Sequence, residues 1–61
     1  MLTFTNIHTL ENQYFDTNDS LDALRAFMSA NPTAKPITRE QANQIRPIVP
    51  MSMIFYFVEG V

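Results

Sequence analysis

Cysteine is absent from this chain of 61 residues, which excludes disulfides, thiolate metal sites and iron–sulfur clusters. A single histidine, His8, is too few for a standard zinc site. The single glycine, Gly60, excludes the glycine-rich loops that hold nucleotide phosphates. No apolar run approaches the roughly 20 residues that a membrane-spanning helix needs. Because one small core gives little stability, the remaining ways to stabilise such a chain are oligomerisation and partner binding.

Charge of either sign is also scarce. Four Lys or Arg and six Asp or Glu residues give a formal net charge of −2, too small to indicate nucleic-acid binding. The distribution is uneven, because residues 11–22 hold four of the acids and no base, whereas residues 23–46 hold all four bases. Residues 1–10 lack the basic and apolar segments of a secretory signal. We therefore expect a cytoplasmic protein without a membrane partner.

Strand-forming residues occupy the N-terminal region. Leu2 and Phe4 alternate onto one face, but Ile7 falls on the other, so a bulge or bend near Asn6 is expected. A polar turn and a short return strand over residues 13–15 would complete a hairpin. Whether residues 2–15 form this hairpin stays open, because neither Asn-Gly nor Asp-Gly is present.

A first helix is predicted over residues 20–30. Asn18 and Asp19 are both good N-caps, and Asn31 followed by Pro32 is a stop signal. Four apolar residues at helical spacing form one stripe that should face the core: Leu21, Leu24, Phe27 and Met28. Residues 33–36 are expected to form a loop.

A second helix begins with a complete local signature. Thr38 as N-cap and Gln41 three residues later make a capping box. Ala42 and Ile45 should continue the inner face of this helix. Pro47 should end it, because the residue before a proline avoids the helical region.

Residues 51–58 predict a C-terminal strand that is apolar on both faces. One face carries Met51, Met53, Phe55 and Phe57, and the other carries Ile54, Tyr56 and Val58. The first face should meet the helix stripe, and the strand should be central or pair with another subunit. The second face, left bare, would need cover from a second copy or a partner.

These elements predict an α+β fold. We expect a small single domain over residues 1–61, in the order ββααβ or βααβ. Two short helices would pack on one face of a small sheet.

No pattern indicates catalysis. His8 is the only candidate base, and no serine lies in a nucleophile elbow. A calcium loop fails because Leu21 stands where the loop needs glycine and Phe27 where it needs glutamate. The failed pattern comprises Asp16, Asn18, Ser20 and Asp22. We expect no enzyme, no catalytic residue, no metal site and no cofactor.

Protein binding has more support, because the chain holds an apolar surplus and aromatic residues of the kind that anchor interfaces. The candidate partner-binding residues are Tyr14, Phe15, Asp16, Asp19, Ile54, Tyr56 and Val58. The alternative is a structural homodimer that pairs its C-terminal strands. In that alternative, Arg39 and Arg46 share a helix face and give a weak nucleic-acid-binding role.

Two segments carry a family resemblance. Residues 1–9, Met-Leu-Thr-Phe-Thr-Asn-Ile-His-Thr, resemble the opening of a small type I-F anti-CRISPR protein. Residues 19–49, which end in Ile-Arg-Pro-Ile-Val, are similar to phage inhibitors of bacterial RNA polymerase. The resemblance implies a compact, phage-encoded inhibitor or adaptor in the host cytoplasm that occludes a surface of a larger host protein.

Overall fold

Four strands and two helices make up the part of the chain that the computed structural model describes, residues 1–49 and 51–60. Their order is β1 (Leu2–Asn6), β2 (Asn12–Phe15), α1 (Ser20–Ala30), β3 (Ala34–Ile37), α2 (Arg39–Ile45) and β4 (Ile54–Glu59). The predicted α+β class is confirmed. Within the described residues, neither helix has the length and apolar character needed to cross a membrane.

The strands form one mixed sheet in the order β2-β1-β4-β3. β1 runs antiparallel to β2 and parallel to β4, and β3 runs antiparallel to β4. β4 is therefore a central strand, which is one of the two arrangements that the sequence predicted for it. Because β1 and β3 pair with its two edges, β4 has no free edge in this fold for the C-terminal strand of a second copy.

A hairpin joins β1 to β2, and Asn6 makes its turn. The Asn6 Oδ1 accepts hydrogen bonds from the backbone N–H groups of His8 at 2.9 Å and Thr9 at 3.2 Å. An asparagine that caps the backbone two and three residues ahead bends the chain without needing glycine. The expected bend near Asn6 is thus present, and it directs Ile7 into a different apolar cluster from Phe4.

Both helices have the predicted ends. The Asp19 side chain accepts from the backbone N–H groups of the first turn of α1, and Asn31 is its C-cap. The capping box of Thr38 and Gln41 is complete in α2. The helix α2 ends at Ile45, before the residue that precedes Pro47.

Two segments differ from the prediction. Residues 34–36, which were expected to lie in a loop over residues 33–36, form the edge strand β3 together with Ile37, despite Pro36. Proline is tolerated there because its missing N–H lies on the free side of an edge strand. The C-terminal strand begins at Ile54 rather than at residue 51, and Met53 before it has a left-handed φ of 71°.

The helices lie on opposite faces of the sheet, whereas the sequence suggested that both pack on one. Phe27 of α1 packs on the face we call the α1 face, against Leu2, Phe4, Ala34 and Phe57. Ala42 of α2 packs on the opposite, α2 face, with Ile7 and Tyr56. Because β4 is apolar on both faces, one helix on each buries more apolar surface than two helices on one.

Candidate functional site

An apolar groove opens on the α1 face of the sheet. The helix α1 packs over β1 and β2, with the Phe27 ring stacked on that of Phe4 at 4.2 Å between centroids. Phe55 of β4 and Pro36 of β3 lie beside the helix rather than beneath it. The resulting groove has a volume of about 350 Å³. Its lining residues are Phe4, Ser20, Leu21, Leu24, Pro36, Ile37, Phe55 and Tyr56.

Three apolar side chains of the groove are substantially exposed. Leu21 is 55% exposed, Leu24 is 36% exposed and Phe55 is 37% exposed. The stripe predicted for α1 is therefore only half buried, because Phe27 and Ala23 supply the contact with the sheet. At 100° per residue, Leu21 and Leu24 stand on the flank of that contact. The small Ala23 side chain allows the helix to approach the sheet closely.

The groove has little polar character. None of its lining residues carries a charged side chain, and Ser20 is the one among them with an aliphatic hydroxyl. Such a surface gives a charged or strongly polar metabolite few hydrogen-bond partners, whereas an apolar side chain loses nothing by entering it. Among the described residues, no group of three His, Asp or Glu side chains lies where it could hold a metal ion. The lining of the groove therefore suits an apolar group better than a charged one.

Of the other four predicted partner-binding residues, two lie in the edge strand β2, Asp16 directly follows it and Asp19 is the N-cap of α1. Tyr14 is 63% exposed, whereas Phe15 is half-buried and meets Phe4 edge-on at 5.5 Å. As neighbours in a strand, these two side chains point to opposite faces. Asp16 and Asp19 are both exposed.

The predicted residues of β4 lie in the chain's own core instead of on a bare face. Tyr56 is buried with Ile7 and Ala42, and Ile54 and Val58 are partly buried against them. The expectation that this face lacks cover is wrong, because α2 and Ile48 cover it. These three side chains therefore pack within the chain itself and do not form the uncovered face for which they were predicted to bind a partner.

The two arginines of the nucleic-acid alternative bind the chain's own backbone. The Arg39 guanidinium donates to the Met51 carbonyl oxygen, and that of Arg46 donates to the His8 carbonyl oxygen at 3.3 Å. Arg46 is the extended C-cap of α2, with φ −151° and ψ 135°, so it does not share a helix face with Arg39. Each arginine therefore holds a loop, and the two do not share a helix face.

A second exposed apolar segment follows α2. Val49 is 79% exposed, and Met51 and Met53 are exposed beside it in the sequence. The loop is held from α2, where Asn43 Oδ1 accepts from the Ile48 backbone N–H at 3.2 Å. This segment supplies a matched control for the groove.

The sequence indicated apolar residues in α1 and β4 but missed their grouping into a groove. Periodicity places Leu21 and Leu24 on one stripe, yet it does not state which strands the stripe covers. A small residue four positions before Phe27 was the available signal, since Ala23 marks the side of α1 that approaches the sheet most closely. No protein family, no curated protein and no solved structure matches this chain.

Proposed function

We propose that this chain is a non-enzymatic protein-binding module, an inhibitor or adaptor that occludes a surface of a larger protein. It docks through the groove between α1 and β4. The observation that carries the proposal is the cluster of Leu21, Leu24 and Phe55, which are exposed together around an uncharged groove. Contiguous exposed apolar surface with a polar rim is typical of protein interaction sites.

The occupant is an apolar anchor of a partner protein, next to a basic residue. A volume of about 350 Å³ lies at the small end of ligand pockets and suits one or two large side chains. Asp19, the N-cap of α1, directly precedes the groove residues Ser20 and Leu21 and is exposed. One acidic side chain therefore lies beside this end of the groove, and a basic residue on the partner would pair with it and orient the partner.

The family resemblance supports a bacterial host protein as the partner. Residues 1–9 and 19–49 resemble phage inhibitors that act by covering functional surfaces of larger proteins. The second of these segments contains α1 and therefore one wall of the groove. A phage-encoded inhibitor would act in the host cytoplasm.

The test is capture from a bacterial lysate with groove and control variants of the tagged chain. The groove variant carries Leu21→Ser and Leu24→Ser, and the control carries Val49→Ser, which removes the most exposed apolar side chain of the other segment. Captured proteins are identified by mass spectrometry, and intact native mass gives the stoichiometry. The thermal unfolding midpoint of each variant establishes that it is folded.

We expect one stoichiometric protein with the wild type and the Val49 variant, and its loss with the groove variant. Capture should weaken modestly as salt rises, because Asp19 beside the groove is exposed. The proposal is overturned if the groove variant captures the same protein equally well. It is equally overturned if the native mass shows only copies of this chain.

A further inference from the structure

The two edges of the sheet differ in the hydrogen bonds that they offer. In an antiparallel ladder, alternate residues direct their backbone groups to the neighbouring strand and away from it. The Asn6 N–H donates to the Glu11 carbonyl at 2.9 Å, in register with the β1–β2 pairs. Gln13 therefore faces β1, whereas the backbone groups of Asn12 and Tyr14 point outward.

The outer edge of β3 has no free N–H at its outward positions. The Ile7 N–H donates to the Phe57 carbonyl at 3.1 Å, so the backbone of Phe57 faces β1 and that of its β3 partner, Pro36, points outward. Proline has no N–H to donate. The other outward N–H, that of Ala34, donates to the Asn31 carbonyl at 3.1 Å. This edge is closed to a further strand, which needs both donors and acceptors.

The outer edge of β2 carries none of these protections. The N–H and carbonyl groups of Asn12 and Tyr14 have no hydrogen-bond partner among the described residues. Both residues are exposed, and the strand contains no proline, lysine or bulge. Natural proteins usually block such an edge, so an open one is a template for strand addition.

The charges at the two ends of β2 determine which kind of strand would pair with its outer edge. Glu11 and Asp16 bracket β2, and both are exposed. In antiparallel pairing of two copies with Tyr14 opposite Tyr14, each end of the strand pair would hold Glu11 of one copy and Asp16 of the other, on opposite faces of the sheet, with no base beside them. A strand with basic ends would instead place opposite charges at both ends of β2. Charge complementarity therefore favours such a strand over a second copy.

We propose that the outer edge of β2 binds an extended segment of a partner protein that carries basic residues at both ends. Backbone hydrogen bonds to Asn12 and Tyr14 supply the attachment, and Glu11 and Asp16 select the charge. This site lies outside the groove, since neither β2 residue lines it. Binding at the edge and docking in the groove are therefore separable in experiment.

The test uses the whole chain, labelled with ¹⁵N, and two synthetic peptides. The first peptide is Lys-Thr-Val-Thr-Val-Thr-Lys, and the second has Glu in place of both Lys residues. Nuclear magnetic resonance titration follows the amides of Asn12 and Tyr14. We expect these two amides to shift with the Lys peptide, and the Glu peptide to bind at least about tenfold more weakly.

Two backbone changes separate strand pairing from side-chain contact. Tyr14→Pro removes an outward N–H that makes no bond within the sheet and should weaken the Lys peptide about tenfold. Tyr14→Ala keeps that N–H and should weaken binding much less. If Tyr14→Pro fails to fold, N-methylation of the second valine of the peptide removes a donor from the other strand. The variant with Leu21→Ser and Leu24→Ser should bind the peptide as the wild type does.

The proposal is overturned if neither amide shifts at millimolar Lys peptide or if the Glu peptide binds equally well. Self-association that protects the Tyr14 amide in the absence of peptide would also overturn it, since the occupant would then be a second copy.

Discussion

Replacing Phe27 with alanine is the sharpest test of how α1 is held on the sheet. Phe27 is fully buried, and its ring lies 4.2 Å from that of Phe4 and 4.7 Å from that of Phe57. Loss of a buried phenylalanine side chain costs about 3–5 kcal/mol of unfolding free energy. At about 0.05–0.15 kcal/mol per residue, a chain of 61 residues has roughly 3–9 kcal/mol in total. Phe27→Ala should therefore leave the chain marginally folded or unfolded at 25 °C.

Phe55→Ala is the matched control. The Phe55 ring also stacks on Phe4, at 5.3 Å, but it is 37% exposed at the groove. Its removal should cost about 1–2 kcal/mol, because less apolar surface returns to water. Urea titration followed by circular dichroism measures both variants against the wild type. If Phe27→Ala destabilises the chain no more than Phe55→Ala does, the account of α1 packing is wrong.

Three further substitutions test local features by the same urea titration. Thr38→Ala should lower the free energy of unfolding by about 1 kcal/mol, because it removes the acceptor of the Gln41 N–H in the capping box. Thr38→Ser should restore most of that loss, and an unchanged unfolding midpoint in Thr38→Ala would contradict this role. Gly60→Ala should cost about 1–3 kcal/mol, because its Cβ would lie 1.9 Å from the backbone oxygen of Thr33, and equal stability would show that the end of β4 is placed differently. Asn6→Ala should lower the free energy of unfolding by about 1–2 kcal/mol, because it leaves two N–H groups of the turn without their acceptor. Asn6→Asp keeps an acceptor and should lower it less. Equal losses in the two variants would contradict the role of Asn6 in the turn.

The helices were predictable because their signals are local. Asp19 and Asn31 bound α1, and Thr38 with Gln41 begins α2, as the capping rules state. The inner face of α2 was less predictable. Ala42 is buried, but Ile45, the last residue of the helix, is 46% exposed.

The strand β3 and the two-sided sheet were not predictable from local patterns. Pro36 indicates a loop unless its missing N–H is known to point away from a neighbour, and that depends on pairing with Phe57. The two apolar faces of β4 indicated that both sides of the strand must be buried. They did not indicate that the chain itself buries both, because that depends on the side of the sheet on which α2 packs after β3.

The candidate site was likewise predictable in part from the sequence. Tyr14 and Asp16 were predicted as partner-binding residues, and both are exposed. Tyr56 was predicted to bind a partner as part of the second face of the C-terminal strand, yet α2 buries it. The groove depends on the lateral position of α1 over β1 and β2, a tertiary property that helical periodicity does not encode.

Site-specific photocrosslinking in bacteria tests the central claim, docking through the groove, most directly. A photoreactive amino acid replaces Leu21 at the groove in one variant and Val49, outside it, in the other. The account predicts a covalent adduct with one host protein from position 21 and none from position 49. An adduct from position 49 with none from position 21 would contradict it and would place the docking surface in the loop that follows α2.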